Sequence, residues 1–162
     1  MITPRSASEL RDTMVLAFAS ESNMIEGIRY TSPEVEQAHH DFLGQDISIT
    51  SLVEFVSVCQ PDAILRNRPG VPCVRVGNHT APPSGPDVEA ELLRIIGIKN
   101  PWEQHCAYET LHPFTDCNGR SGRAIWLHRH IHDDHDPAAA ARGFLHSWYY
   151  HTLRNWHAGE KP

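Results

Sequence analysis

Long apolar runs are missing from this chain. None approaches the ~20 consecutive residues that a bilayer-spanning helix needs, so no membrane partner is expected. Positive charge is also short: Lys and Arg number 14 against 20 Asp and Glu, a formal net charge of −6. Such a chain is a poor general nucleic-acid binder, because phosphate backbones are held by basic surfaces. Any anion site must be built locally. Cysteine pairing motifs are absent as well. Cys59, Cys73, Cys106 and Cys117 form no C-x-x-C and no regular spacing. With no signal peptide in view they read as reduced thiols in a cytoplasmic protein. There is no internal repeat and no low-complexity tract. The 162 residues, 40% hydrophobic, fit a single domain over 1–162 with its own core.

Histidine is what the chain has in excess, with 12 residues. "HRHIHDDH" holds His128, His130, His132 and His135. A metal site is one reading. Alternation by two scatters side chains around a helix, however, and only His128 and His132 share a face. A solvated helix end is the reading adopted.

Most of the chain carries helical spacing. "SASELRDTMVLAFASES" places Leu10, Met14, Ala17 and Phe18 on one stripe. "TSPEVEQAHHDFLG" has Ser32 as N-cap, Pro33 in the first turn and Gly44 at the end. "SITSLVEFVSVCQP" is a helix stopped by Pro61. Then "RNRPGVPCVRVGNHTAPPSGPD" turns to Pro and Gly, with "VPCVRV" as a short strand and "GN" as a turn. Helices resume in "PDVEAELLRIIGI" and in "NPWEQHCAYETLH", where Asn100, Pro101 and Glu103 make a capping-box pattern. "RSGRAIWLHRHIH" and "DPAAAARGFLHSWYYHTLRNWH" complete the series, with Trp126, Trp148, Tyr149, Tyr150 and Trp156 as packing aromatics and Tyr149 or Tyr150 as a flank for an adenine. The expected fold is all-α with one small hairpin.

The densest chemistry lies in "LHPFTDCNGRSGR", residues 111–123. "CNG" does not continue a helix easily, and "RSGR" starts one. The loop therefore faces a helix N-terminus, where free N–H groups and the dipole attract anions and successive amides form a nest. Arg120 and Arg123 are three apart and are expected on the same side, suited to a polyphosphate. Asp116 beside them is the kind of single carboxylate that holds Mg²⁺ on phosphates. His112 can take a proton near neutral pH. Pro113 and Phe114 hold it in place, with Phe114 turned inward. His105 and Cys106, upstream, read as packing groups.

The segment resembles the signature of the Fic family, His-Pro-Phe-x-Asp-Gly-Asn-Gly-Arg-x-x-Arg. Every defined position matches except Cys117, which stands where the family has Gly. The likeness covers most of residues 45–155 and implies a Fic-type helical bundle with a β-hairpin flap over 66–83. The family commonly transfers AMP from ATP to a hydroxyl of a target protein. The resemblance implies ATP and Mg²⁺ as cofactors, His112 as base and Asp116 as metal ligand. It implies that Asn118, Gly119 and Arg120, with Cys117 in the same loop, bind the phosphate chain, and that Arg123 holds the γ-phosphate. Val74, Arg75 and Val76 of the flap would pair with an extended segment of the target. Gly119 is retained; relatives with Lys there resemble kinases, which favours AMP transfer.

"SNMIEG", residues 22–27, resembles the family's inhibitory motif, Ser/Thr-x-x-x-Glu-Gly/Asn, within an N-terminal segment 1–30. Ser22 and Glu26 fill its defined positions, and the implied contact is Glu26 against Arg123. Gly27 also reads as a simple helix cap. In some relatives the inhibitory Glu orients water to remove AMP, so AMP transfer and AMP removal both stay open, as does homo-oligomerisation. Two rivals stand beside these, the first opened by Cys117. "CNGRSGR" is Cys-x5-Arg, the spacing of cysteine phosphatases, whose thiolate would have a lowered pKa in an amide nest. A scaffold that binds nucleotide or a partner without turnover is the other. If the backbone at 117 has positive φ, a Cys there costs roughly 1–2 kcal/mol.

Overall fold

A computed structural model describes the backbone of residues 7–132, with side chains from residue 12 onward. The closing helix expected from "DPAAAARGFLHSWYYHTLRNWH", with its aromatic residues, lies outside the described residues. Among those residues the chain forms six helices and one hairpin: α1 (Ala7–Ile25), α2 (Pro33–Leu43), α3 (Ile49–Cys59), β1 (Arg75–Val76), β2 (His79–Thr80), α4 (Pro86–Ile96), α5 (Pro101–Leu111) and α6 (Asn118–His132). The expectation of an all-α protein with a small hairpin holds.

The helix starts follow the capping chemistry. Ser32 accepts from the Val35 N–H ahead of Pro33. Ser48 and Ser51 form a reciprocal capping box at α3. Asn100 accepts from the N–H groups of Trp102 and Glu103 at the start of α5. Each side chain satisfies donors that the helix itself leaves open.

The antiparallel pair α5–α6 forms the centre, with α4 against α5 and with α1, α2 and α3 against α6. One apolar cluster joins α2 to α6 through Phe42, Leu52, Phe55, Leu92, Tyr108, Phe114 and Ile125. A second seats α1 on α5 and α6 through Val15, Phe18, Cys106, Trp126 and Leu127. The buried stripe of α1 is shifted from the expected one. Val15, Phe18, Ala19 and Ser22 face inward, while Met14 and Ala17 are exposed. The two faces differ by one residue. The inward one is chosen by packing on α2 and α6, and it brings Ser22 to the end of the central pair.

The hairpin is shorter than "VPCVRV" suggested. Arg75 pairs with Thr80 and Val76 with His79, around a turn with Gly77 at φ 57. Val74 lies outside the strand, though its carbonyl accepts from Ala81 at 2.9 Å. The histidines of α6 form a solvated end only in part, with His132 exposed, His130 half-buried and His128 inside. His128 is buried and shares a hydrogen bond with the Gln45 carbonyl at 2.7 Å; His132 does so with the Leu43 carbonyl at 2.8 Å. Both tie the end of α2 to α6. Among the described residues no helix is long and apolar enough to cross a membrane.

Candidate functional site

The segment 111–123 spans the junction between the two central helices. α5 ends at Leu111, and His112 takes a left-handed backbone with φ 46 and ψ 66. α6 begins at Asn118, earlier than "RSGR" implied, so Asn118 and Gly119 belong to its first turn. The loop between is locked from both sides. Asn118 clips Phe114 at both backbone groups, Oδ1 accepting from its N–H at 2.9 Å and Nδ2 donating to its carbonyl at 2.8 Å. Residues 64–66 run antiparallel to 113–115: the Arg66 N–H donates to Pro113 and the Thr115 N–H to Ile64.

Arg66 contributes more than its backbone. It is fully buried, and its guanidinium donates to the carbonyls of Leu111 and His112 at 2.7 Å each, to Pro82 at 2.8 Å and to Ser84 Oγ at 3.1 Å. A planar fork that satisfies open carbonyls at a helix C-terminus is a role Lys cannot copy. The sequence held no local signal for it, because its partners lie some 45 residues away.

His112 is buried, and its Nδ1 contacts the Glu109 carbonyl. A carbonyl only accepts, so Nδ1 carries the proton and Nε2 is left as the basic nitrogen. His79 of the hairpin stands nearby, ring centroids 5.9 Å apart, with its own Nε2 at 2.8 Å from the Thr110 carbonyl. The hairpin is thus tied down beside His112, a contact the sequence did not signal. Arg75 and Val76 are exposed on the flap.

Arg120 and Arg123 do not converge as expected. Arg120 turns to the end of α3, donating to the Cys59 carbonyl at 2.8 Å and to Gln60 Oε1 at 3.2 Å, with Asp116 Oδ1 at 3.9 Å. Arg123 turns to α1. Its Nε donates to Ser22 Oγ at 2.9 Å, and its Nη2 donates to the Ser22 carbonyl at 2.8 Å and to Glu26 Oε1 at 2.7 Å. The two point apart because α3 and α1 lie on different sides of α6. The Glu26–Arg123 contact is the one expected from "SNMIEG". Gly119 makes it possible: a Cβ there would lie 2.5 Å from Glu26 Oε1. The carboxylate therefore rests on the first turn of α6, where unbonded N–H groups and the dipole attract negative charge.

Glu109 is a further group that sequence reasoning missed. It is buried one turn before His112, and burial pushes its carboxyl up to about 7, opposed by Arg123 and reinforced by Glu26. Cys117 has φ 66, so the strained branch of the expectation applies. Its thiol is buried, and the hydrogen bond with Cys59 and the burial push its pKa up. That is the opposite of the lowered pKa a phosphatase nucleophile requires. All four cysteines are free thiols.

Asp116 is exposed at the mouth of the loop, with Oδ1 accepting from the Cys117 N–H at 2.5 Å. Among the described residues no group of three or more His, Cys, Asp and Glu side chains could hold a metal. A Mg²⁺ bound by one carboxylate and substrate phosphates needs no such group, and Asp116 fits that narrower demand. No family model and no curated protein matches the chain.

Proposed function

We propose that this chain is a Fic-type protein adenylyltransferase, held inactive by Glu26, that transfers AMP from Mg-ATP to a hydroxyl of a target protein. The observation that carries the reading is the carboxylate of Glu26 on the seat made by Gly119, Arg123 and the first turn of α6. An anion site closed by the protein's own anion supports both a phosphate-binding role and its control.

With Glu26 withdrawn, Arg123 offers its guanidinium to the γ-phosphate, and the first-turn amides of α6 face the chain of phosphates. Asp116 would hold the Mg²⁺, which supplies charge neutralisation on the phosphates when bound. Asn118 and Arg120 act as braces, one on Phe114 and the other on α3. His112, with its proton fixed on Nδ1, accepts the target hydroxyl's proton at Nε2. The hydroxyl oxygen then bonds to the α-phosphorus as the bond to pyrophosphate breaks. Target docking along Val74–Val76 would add a strand beside the base, and positioning would supply much of the rate.

The test is intact mass after incubation with Mg-ATP, for wild type, Glu26→Gly and Glu26→Gly/His112→Ala. Self-modification by one adenylyl group is expected in Glu26→Gly alone. A phosphoryl adduct would overturn AMP transfer. An adduct that persists without His112 would remove it as the base. No adduct in any form moves the reading to AMP removal or to a silent binder.

A further inference from the structure

Glu109 has no role in the mechanism above, yet it lies inside the site. It is 4% exposed, and its Oε1 has no hydrogen-bond partner among the described residues. Its seat repeats that of Glu26. Gly119 and Gly122 are three apart on α6, hence neighbours on its surface. A Cβ at Gly119 would overlap Glu26 Oε1, and a Cβ at Gly122 would overlap Glu109 Oε1. Arg123 Nη1 would lie 3.0 Å from a Cβ at Gly119, so the guanidinium sits at the first of these two neighbouring glycine seats, with Glu26, and Glu109 occupies the second.

We propose that Glu109 is a second carboxyl of the Arg123 site and that its ionisation weakens the seating of Glu26. Like charges around one cation compete for it and repel each other. Linkage makes the effect reciprocal: if Glu26 disfavours the charged form of Glu109, a charged Glu109 disfavours Glu26 by the same amount. The electrostatics agree, since Glu26 pushes Glu109 up and Arg123 pulls it down, with titration at about 7. The sign follows. Below that pH Glu109 is neutral and Glu26 is the anion on Arg123. Above it Glu109 is charged and the seat loosens.

The surrounding groups leave this pair in control. From α6 the charge facing Glu109 is Arg123, and from the end of α1 it is Glu26. On α5 itself, burial holds His105 down at about 3 and raises Cys106 and Tyr108, so all three stay neutral near pH 7. His112 stands one turn on, with Nδ1 on the Glu109 carbonyl. The hairpin presents His79 to the Thr110 carbonyl, and α4 presents the carbonyls of Ile95 and Ile96 to Gln104, not a charge. Cys117 of the loop is a buried thiol with a raised pKa.

The coupling can be measured without any nucleotide. Carbon-13 spectra of the glutamate carboxyls, assigned through bonds, are titrated in wild type and in Glu26→Gln. Glu109 is expected to titrate near neutrality in wild type, and its midpoint to fall by about one pH unit in Glu26→Gln as the neighbouring charge is lost. A Glu109 midpoint that Glu26→Gln leaves in place, or one in the ordinary carboxylate range, overturns the proposal. A second arm follows Mg-ATP binding between pH 6 and 8. Its functional consequence rests on the reading of Arg123 as a phosphate seat. Binding to Glu26→Gln that weakens as pH rises through 7, the charged Glu109 opposing the phosphate on Arg123 as it opposes Glu26, supports both. A shifted Glu109 midpoint with no Mg-ATP binding upholds the coupling and sinks the nucleotide reading.

Discussion

At the scale of single residues, the site is organised by backbone conformation as much as by charge. His112 and Cys117 bracket the loop, both with positive φ. A left-handed Cys carries strain that Gly would not, yet the Cys117 thiol is buried and hydrogen-bonded to that of Cys59. The two terms can be separated. Cys117→Ala keeps the strain and loses the thiol, whereas Cys117→Gly loses the thiol and the strain together. We expect Cys117→Ala to be the less stable of the two by roughly 1 kcal/mol, read from urea midpoints. Equal stabilities would mean that the native loop stores no strain at this position. Residue 117 also illustrates the limit of one-dimensional reading. The departure from the motif was visible in the sequence, but the sign of φ was not, because it is set by α6 starting at the next residue.

At the scale of elements, the helix ends decide the geometry. α5 would end in open carbonyls, and Arg66 from a distant segment closes them while also holding Pro82 and Ser84 at the base of the hairpin. One side chain therefore couples three pieces: the end of α5 with His112, the loop and the hairpin. Removing it leaves several buried carbonyls unsatisfied. Arg66→Met is expected to cost roughly 3–5 kcal/mol, measured by chemical denaturation. Arg66→Lys should recover only a minor part, because an ammonium does not reproduce the fork. Full recovery by Lys would show that charge alone, not the shape of the donor set, holds the junction. The starts of α2 and α5 were legible in the sequence because Ser32 and Asn100 act on their own next turn. The junction was not, because its donors come from residue 66.

At the scale of the whole molecule, buried titratable groups set how stability depends on pH. His39 and His105 are buried as neutral rings, lowered to about 4 and about 3 chiefly by desolvation. Their folded pKa values lie below the unfolded value, so their contribution is full above about 6.5 and is lost as pH falls. Glu109 works the other way. Its folded pKa of about 7 lies above the unfolded one, so its contribution is present in acid and is lost as pH rises through 7. Between pH 4.5 and 6.5 these three groups leave one net proton taken up on unfolding. Stability should therefore drop by about 1.4 kcal/mol per pH unit on acidification. Glu109→Gln removes the opposing group and should steepen the slope to about twice that. Denaturant midpoints across the range check this, and an unchanged slope in the variant would place Glu109 outside the buried set.

The sequence by itself determined the helical class, the hairpin, the starts of α2 and α5 and the charged residues of the loop. These follow from local periodicity, from side chains that cap their own backbone, and from one long contiguous motif. It also pointed to Glu26 against Arg123, through a second motif 97 residues earlier. Only the tertiary structure decided the rest: that Arg120 and Arg123 part toward different helices, that α1 buries Ser22 and not Met14, that Arg66 seals α5, and that Glu109 is buried at Gly122, three residues along α6 from the Gly119 seat of Glu26. The physical reason is common to all four. Direction and burial of a side chain depend on which helix packs against it, and that packing is settled among segments far apart in the chain.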